Sequence, residues 1–226
     1  MYAKHTKRGH RLSFLFVKAN KIIYTIAKVW YNNNMQIKNS KFLTTVASQN
    51  LLNNTKIEFA FVGRSNVGKS SLINAIVGNK SLARTGKSAG VTKNINYFSI
   101  NNGDFVFVDL PGYGYHEAGK LEQDKWAEIL ENYLLNSQNL KCVFVLVDSR
   151  HEASDNDRNM LKYLNQYAIP FVVVGTKSDK LNRNQLAKSR QILAHSLGLG
   201  ESNIILTSSA DKSGIKDVLK IMDNFM

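Results

Sequence analysis

Cysteine is almost absent from this chain, because Cys142 is the single one among 226 residues. One cysteine excludes a disulfide framework and a zinc site built from cysteines. Long apolar runs are absent too, since no stretch approaches the 18 uninterrupted residues that predict a membrane-spanning helix, and the five histidines show no metal-ligand spacing. Hydrophobic residues still make up 43% of the chain, enough for a sizeable core. The length suits one α/β domain, and the simplest interpretation is a cytoplasmic protein that binds no membrane.

Acidic residues are missing from the first 57 positions, where ten lysines and arginines occur. Residues 58–226 contain 20 basic and 17 acidic residues, so most of the net charge of +13 belongs to the N-terminal segment. A basic segment of this kind can help a protein to approach phosphate-rich surfaces.

Residues 1–34 form a basic N-terminal extension with seven positive charges and two short apolar runs, at 12–17 and 22–30. A secretory signal needs a longer apolar region and a small-residue cleavage site, and an organellar presequence is richer in arginine and serine. We therefore expect the extension to be disordered or an upstream over-extension of the reading frame, with Met35 as the natural start. Residues 35–226 are predicted to form the folded domain.

From residue 57 onward, apolar runs alternate with helical patterns, which is typical of an α/β fold with a mostly parallel sheet. The predicted strands are residues 57–63, 97–100, 105–110, 142–147, 171–175 and 204–207. The predicted helices are residues 68–77, 121–135, 156–167, 184–197 and 215–225. Asn102-Gly103 between two apolar runs indicates a hairpin, so the second and third strands should be antiparallel neighbours. Nearly continuous apolar strands, including the one that contains Cys142, indicate that helices cover both faces of this six-stranded sheet.

The segment from Gly63 to Ser70 matches the pattern G-x-x-x-x-G-K-[ST] between a predicted strand and a predicted helix. Its glycines let backbone N–H groups wrap a phosphate, and the helix N-terminus adds the positive end of its dipole. Lys69 would bridge β- and γ-phosphate oxygens, and the Ser70 hydroxyl would bind Mg²⁺. The motif alone does not separate ATP from GTP. The predicted phosphate-binding residues are Gly63, Arg64, Ser65, Asn66, Val67, Gly68, Lys69, Ser70 and Ser71.

A second motif, Asp109-Leu-Pro-Gly112, closes an apolar strand 40 residues after Lys69. Asp109 can reach Mg²⁺ through water, and the Gly112 N–H can meet a γ-phosphate. An Asp before a Pro-Gly turn often serves only the turn. Its place after a hairpin favours a sensor of the nucleotide.

Two further motifs follow the last two predicted strands. In Thr176-Lys177-Ser178-Asp179, one carboxylate can accept the N1 and N2 hydrogens of guanine, a pair that adenine lacks, while the Lys177 stem covers the base. Backbone N–H groups of the next segment could receive guanine O6. Because all four motifs occur in this order at alternating strand ends, the sequence predicts an enzyme that binds GTP and hydrolyses it to GDP and phosphate. The residues of that next segment are Ser208, Ser209 and Ala210.

These motifs resemble those of the EngB (YihA/YsxC-like) ribosome-biogenesis GTP-binding proteins of the TrmE-Era-EngA-EngB-Septin-like class. The matching segments are GRSNVGKSS at 63–71, LART at 82–85, DLPGYGY at 109–115, VDSRH at 147–151 and TKSD at 176–179, with Thr176 replacing the commoner Asn. The resemblance covers residues 35–226. It implies a Ras-like P-loop GTPase fold, Mg²⁺ as a cofactor, a cytoplasmic location and a role in assembling the large ribosomal subunit.

One departure from the family pattern lies at residues 89–93, which read AGVTK where the family usually has Pro-Gly-(Lys/Arg)-Thr-Gln. The resemblance assigns Gly90 to nucleotide binding and Thr92 to Mg²⁺ in the GTP state. The altered neighbours change the expected shape of the first switch.

The expected catalytic groups are Lys69, Gly112 and Asn66. In Ras-type switches a glutamine after Asp-x-x-Gly orients the attacking water, and Tyr113 occupies that position here. A tyrosine cannot present an amide's donor and acceptor together, so slow intrinsic hydrolysis is expected. Asn66 lies three residues before Lys69, where potassium-activated relatives hold a monovalent cation, so K⁺ is a candidate cofactor that would stabilise developing charge. The alternative is that Asn66 only braces the loop.

Three functions are open at this point. The first is a GTPase switch that times release from a pre-ribosomal particle, and the second is a GTP-dependent ribosomal RNA-binding module with little turnover. The third, a P-loop kinase or ATPase, is disfavoured by TKSD and by the missing lid-type arginine pattern. The expected partners are GTP, GDP and the large ribosomal subunit or its precursor, through its RNA and proteins. Basic residues around the first switch suit phosphate contacts or a solvated loop: Lys80, Arg84, Lys87 and Lys93.

Overall fold

The computed structural model describes residues 35–46, 52, 55–84, 94–114 and 120–226. Strands and helices alternate along most of this part of the chain, as the sequence predicts. The strands are β1 (Ser40–Val46), β2 (Ile57–Gly63), β3 (Ile95–Ile100), β4 (Phe105–Asp109), β5 (Leu140–Asp148), β6 (Phe171–Thr176) and β7 (Ile204–Leu206). The helices are α1 (Lys69–Val77), α2 (Lys120–Asn136), α3 (Asp155–Gln166), α4 (Arg183–Leu197) and α5 (Ile215–Asp223).

All seven strands form one sheet in the order β1-β3-β4-β2-β5-β6-β7. β3 is antiparallel to both of its neighbours, and every other pairing is parallel. A single 3₁₀ turn, Asn101–Gly103, joins β3 to β4, with positive φ angles at Asn102 (58°) and Gly103 (96°). The predicted α/β class and the predicted antiparallel hairpin are therefore confirmed.

The prediction of six strands was wrong, because β1 adds a seventh at the edge of the sheet. Among the described strands, β1 pairs with β3 alone, and a bulge between Phe42 and Thr44 shifts its register. All seven of its residues are exposed or half-buried, and it lacks both the alternation and the continuous apolar run that predict a strand. Asn101 ties the preceding segment to the hairpin turn, accepting from the Lys38 N–H at 2.8 Å and donating to the Gln36 carbonyl at 2.9 Å.

Helices cover both faces of the sheet, so each face has its own core. On one face, α1 and α5 pack over a cluster of phenylalanines that includes Phe61, stacked on Phe144 with ring centroids 5.4 Å apart. Met35 and Ile37 pack against the margin of this core. α2, α3 and α4 cover the other face. Cys142 is a buried core residue, as predicted, and burial raises the pKa of its thiol.

A buried carboxylate lies at the amino end of β2. Glu58 accepts hydrogen bonds from the Tyr133 hydroxyl at 2.8 Å and the Ser137 hydroxyl at 2.6 Å. Burial, together with the neighbouring Glu58 carboxylate, raises the pKa of Tyr133 well above its ordinary value. This network lies at the amino ends of the parallel strands, on the side of the sheet opposite to their carboxyl ends. Across the residues that the structure describes, no helix is long and apolar enough to cross a membrane.

Candidate nucleotide-binding site

The predicted motifs meet at the carboxyl edge of the sheet. β2, β4, β5 and β6 are mutually parallel, so Gly63, Asp109, Asp148 and Thr176 end neighbouring strands on the same side. The segment after β7 follows on the same edge. Ligands of open α/β sheets bind outside the carboxyl ends of the strands. This edge is therefore the candidate site.

The loop between β2 and α1, residues 63–68, is a tight turn that leads into a helix N-terminus. Gly68 caps α1 with φ 106°, and Asn66 has φ 61°, a left-handed conformation that asparagine tolerates better than most residues. A Cβ on Gly63 would lie 2.8 Å from the Leu146 carbonyl oxygen, so no side chain fits there. The backbone N–H groups at the start of α1 have no partner within the helix, and this geometry suits an anion.

Lys69 and Asp109 form an ion pair at the centre of this edge. Their side chains are only 10% and 4% exposed. Lys69 opens α1 and Asp109 closes β4, so the pair joins the two motifs that were predicted to contact phosphate and Mg²⁺. A buried ammonium that loses this partner needs another anion to replace it.

Gly112 approaches the same loop closely. A Cβ on Gly112 would lie 3.0 Å from the Gly63 carbonyl oxygen and 3.3 Å from the Ser65 nitrogen. The next residue makes two backbone hydrogen bonds with the loop, since the Tyr113 N–H donates to Gly63 O at 3.1 Å and the Ser65 N–H donates to Tyr113 O at 3.2 Å. The Asp109–Gly112 motif is thus joined directly to the phosphate-binding loop.

Thr176 and Lys177 tie the loop to the other side of the site. The Thr176 hydroxyl is buried and lies 2.6 Å from the Val67 carbonyl oxygen, to which it donates. The Lys177 ammonium donates to the Asn66 carbonyl at 2.8 Å, and its stem passes over Gly68. Within the described part of the chain, nothing hydrogen-bonds the Asn66 side-chain amide. The loop is braced at Asn66 through its backbone carbonyl, which accepts the hydrogen bond from Lys177.

Asp179 and Ser208 come together although 29 positions separate them in sequence. Burial tends to raise the pKa of Asp179, but hydrogen bonds from the Ser208 hydroxyl and the Lys180 ammonium outweigh it and lower that pKa. The Ser208 oxygen also accepts from the N–H groups of Ala210 at 3.1 Å and Asp211 at 3.3 Å, which shapes a tight turn. Ser209 lies within that turn. The carboxylate of Asp179 is therefore ionised at neutral pH and lies beside Ser208.

Sequence reasoning missed the role of Asp148 at the end of β5. Its carboxylate accepts from the Lys177 ammonium at 3.0 Å and from the Arg150 guanidinium at 2.7 and 2.9 Å. Burial tends to raise the pKa of Asp148, but these hydrogen bonds dominate and hold it well below its ordinary value. The VDSRH segment contained the signal, since an Arg two residues after an Asp at a strand end can fold back onto it. Asp148 thereby positions Lys177.

The other predicted site residues include the predicted Mg²⁺ ligands. Arg64 and Ser71 are exposed, and Ser70 is the second residue of α1. Gly90 and Thr92 lie outside the described residues. Where the structure describes the chain, no group of three or more acidic, histidine or cysteine side chains could hold a metal ion. Mg²⁺ commonly uses one or two protein oxygens together with water and phosphate, and Ser70 and Asp109 supply donors of that class.

Comparison with known proteins agrees with this geometry. A family model described as "50S ribosome-binding GTPase" matches residues 58–177. A probable GTP-binding protein EngB of Desulforamulus reducens is 46% identical over 170 residues, which are 75% of this chain and 83% of that protein. The Clostridium beijerinckii counterpart is 43% identical over 192 residues, covering 84% and 95%. The chain belongs to the EngB family of GTP-binding proteins.

Solved structures agree with the fold of this EngB-family chain. A crystal structure of a probable GTP-binding protein EngB superposes with a TM-score of 0.61 at 26% identity, covering 74% of this chain and 97% of that one. Era in complex with MgGDPNP and a 16S ribosomal RNA fragment superposes equally well, at 20% identity over 76% of this chain and 57% of that chain, and shares the fold. Family membership makes this chain a P-loop GTPase.

Replacing Asp148 with Asn should lower stability in a pH-dependent way. The amide nitrogen replaces the oxygen that accepts from Lys177 and from one Arg150 nitrogen, so two charge-assisted hydrogen bonds are lost. The free energy of unfolding at pH 7 should therefore fall by about 1–2 kcal/mol. Because the folded pKa is depressed, the carboxylate stabilises the fold above its unfolded pKa of about 4, and the contribution is lost as pH falls further. The difference between the two proteins should therefore shrink below pH 4.

Urea unfolding at pH 7, 5 and 3.5 measures this difference. Asp155→Asn is the matched control, because Asp155 also pairs with an arginine, Arg158 at 2.7 Å, but is 89% exposed. Surface pairs contribute little, so the control should track the unmutated protein. Equal stability of Asp148→Asn and Asp155→Asn at pH 7 would contradict the role given to Asp148.

Proposed function

We propose that this chain is a GTP-driven switch that acts on the large ribosomal subunit during its assembly in the cytoplasm. The observation that carries the proposal is the meeting of four separate segments at one sheet edge, with Asp179 held beside Ser208 and Lys177 held over Gly68. Residues 35–226 supply the GTP-binding domain, and residues 1–34 are an extension that it does not require.

Guanine recognition rests on Asp179. An ionised carboxylate accepts the N1 and N2 hydrogens of guanine, whereas adenine offers no such pair. The lowered pKa of Asp179 keeps it ionised at neutral pH. Lys177, anchored by Asp148, supplies an aliphatic stem for one face of the base. A backbone N–H of the turn at Ser208–Ala210 would receive O6, and the Ala210 N–H would do so by leaving the Ser208 oxygen to which it donates. A nucleotide whose base lacks these two hydrogens offers the carboxylate no donor, so it should bind more weakly.

Phosphate binding uses the loop and the Lys69–Asp109 pair. When a triphosphate enters, the Lys69 ammonium exchanges the carboxylate of Asp109 for β- and γ-phosphate oxygens. Ser70 and, through water, Asp109 would hold Mg²⁺, with Thr92 as a further ligand. When bound, Mg²⁺ neutralises charge on the phosphates. Gly112 then offers its N–H to the γ-phosphate beside the loop that it already contacts.

Hydrolysis should be slow without an activator. Tyr113 occupies the position of the water-orienting glutamine, and its hydroxyl donates to the buried Asp157 carboxylate at 2.8 Å. The Tyr113 hydroxyl is therefore not available to orient an attacking water. Asn66 would hold K⁺ beside the β- and γ-phosphates, where a monovalent cation stabilises transition-state charge.

Asp179→Asn should change the nucleotide that the chain prefers. The unmutated protein should bind GDP far more tightly than ADP or XDP. In the variant an amide faces the base, so affinity should move from guanine to xanthine, whose N1–H and O2 suit an amide. Competition against a fluorescent guanine nucleotide measures all three affinities. Equal binding of ADP and GDP by the unmutated protein would contradict the assignment.

Potassium should accelerate turnover relative to sodium at matched ionic strength, and the acceleration should depend on Asn66. Asn66→Gly is the variant to test, because glycine removes the side-chain amide and adopts the φ of 61° without strain. It should retain GDP affinity and lose the difference between the two salts. The measurement is the rate of phosphate release from GTP in KCl and in NaCl, for the unmutated protein and for the variant. Identical rates for the unmutated protein in both salts would leave Asn66 with a structural role.

The ribosomal part of the proposal rests on two observations. The matching family model is described as a 50S ribosome-binding GTPase. The chain also carries a basic surface on α4, where residues 181–200 contain no acidic residue and three exposed cations, Arg183, Lys188 and Arg190. Among the described residues, none of these cations forms an ion pair. Unpaired arginine and lysine side chains suit the phosphate backbone of RNA.

Removing the α4 cations should weaken binding to the large subunit. The triple variant Arg183→Ala, Lys188→Ala, Arg190→Ala should bind purified 50S subunits at least about tenfold more weakly in the presence of a non-hydrolysable GTP analogue, and its salt slope should be smaller by about 1 for each phosphate that the variant no longer neutralises. The control is Lys162→Ala, Lys216→Ala, Lys220→Ala, which removes the same charge from exposed positions of α3 and α5. Equal affinity of both triples would reject the α4 surface as the binding surface.

Turnover with and without 50S subunits separates the switch from a module that only binds RNA. A switch should hydrolyse GTP faster on the subunit, whereas unchanged turnover with intact 50S binding would favour the binding module.

A further inference from the structure

Every polar atom of Tyr113 takes part in a hydrogen bond. Its backbone N–H and carbonyl hydrogen-bond the phosphate-binding loop at Gly63 and Ser65. Its ring is buried in the core beneath α3, and its hydroxyl donates to the Asp157 carboxylate at 2.8 Å. Burial and the neighbouring carboxylate raise the pKa of Tyr113, so the hydroxyl remains a donor throughout the neutral range. One residue thus joins the loop to α3.

Asp157 is itself fixed from the other side. It lies in the first turn of α3, where its second carboxylate oxygen accepts from the Ser154 N–H at 2.8 Å and the Ser154 hydroxyl at 2.6 Å. These bonds complete a capping box, and a carboxylate in the first turn interacts favourably with the helix dipole. The acceptor for Tyr113 therefore cannot rotate away without breaking the cap of α3.

The residues on either side of Tyr113 are tightly confined. Gly112 lies against the loop, and the next residue, Gly114, turns over α3 with φ 78°. A Cβ on Gly114 would lie 2.8 Å from the Asn156 side-chain nitrogen. Gly112 is thus followed directly by a residue that is bonded to both the loop and α3.

We propose that Tyr113 is a positioning residue that, through Asp157, holds the Gly112 N–H ready for a γ-phosphate and so raises the affinity for a triphosphate relative to the affinity for a diphosphate. The inference rests on the proposed function. A preorganised donor binds its ligand without first losing conformational freedom. GDP has no γ-phosphate, so its affinity does not depend on where Gly112 lies.

Tyr113→Phe tests this role because it removes one oxygen and keeps the ring. The affinity for a non-hydrolysable GTP analogue should fall about fivefold, the effect of one buried hydrogen bond, while the affinity for GDP stays unchanged. Tyr133→Phe is the matched control, since it also removes a buried tyrosine hydroxyl that donates to a carboxylate at 2.8 Å, but at the opposite edge of the sheet. It should reduce stability without changing the ratio of the two affinities.

Two further variants separate positioning from helix capping. Asp157→Asn keeps Tyr113 intact and weakens its acceptor, so the ratio should fall, and adding Tyr113→Phe should lower it no further. Ser154→Ala weakens the cap of α3 but keeps both the Ser154 N–H bond that holds Asp157 and the Tyr113 hydroxyl bond, so it should lower the melting temperature and change the ratio less than Tyr113→Phe does. A ratio within twofold of the unmutated value in both Tyr113→Phe and Asp157→Asn would overturn the proposal. Failure of the unmutated protein to bind either nucleotide would instead refute the proposed function.

Discussion

The buried hydrogen bond from the Thr176 hydroxyl to the Val67 carbonyl is the contact on which the site depends. It joins the end of β6 to the loop after β2, although β5 lies between these two strands. At 2.6 Å and fully inside the protein, it fixes the distance between the segment that faces phosphate and the segment that faces the base. Lys177 repeats the connection one residue later, at Asn66. Under the proposed function, a nucleotide with its phosphates on the loop would therefore meet Asp179 at a set distance.

Charged side chains at the carboxyl ends of the parallel strands form ion pairs. Lys69 pairs with Asp109, Lys177 with Asp148, and Lys180 with Asp179. In two of these pairs a burial cost on the carboxylate is outweighed by hydrogen bonds from its partners, so the pKa values of Asp148 and Asp179 are lowered. The arrangement limits how far Lys69 and Lys177 can move.

Much of the fold could be predicted from the sequence because the central strands are continuous apolar runs with turn residues between them. The meeting of residues 63–70, 109–112 and 176–179 at the carboxyl ends of the strands could be predicted for a related reason, since each segment is a short local pattern at a strand end. β1 could not, because an exposed edge strand with a bulge has no apolar periodicity. The partnership of Tyr113 with Asp157 could not either, since nothing local in either segment indicates a contact across 44 positions.

The reversed direction of β3 has a consequence for how the chain folds. β3 and β4 are joined by a single 3₁₀ turn, whereas the other pairings among the described strands connect segments that are far apart in sequence. Closing a long loop before any contact forms is slow, and a hairpin closes in microseconds. The β3–β4 hairpin can therefore form first and offer β4 as a ready edge. β2 then has a template on which to align, and the phosphate-binding loop follows from that alignment.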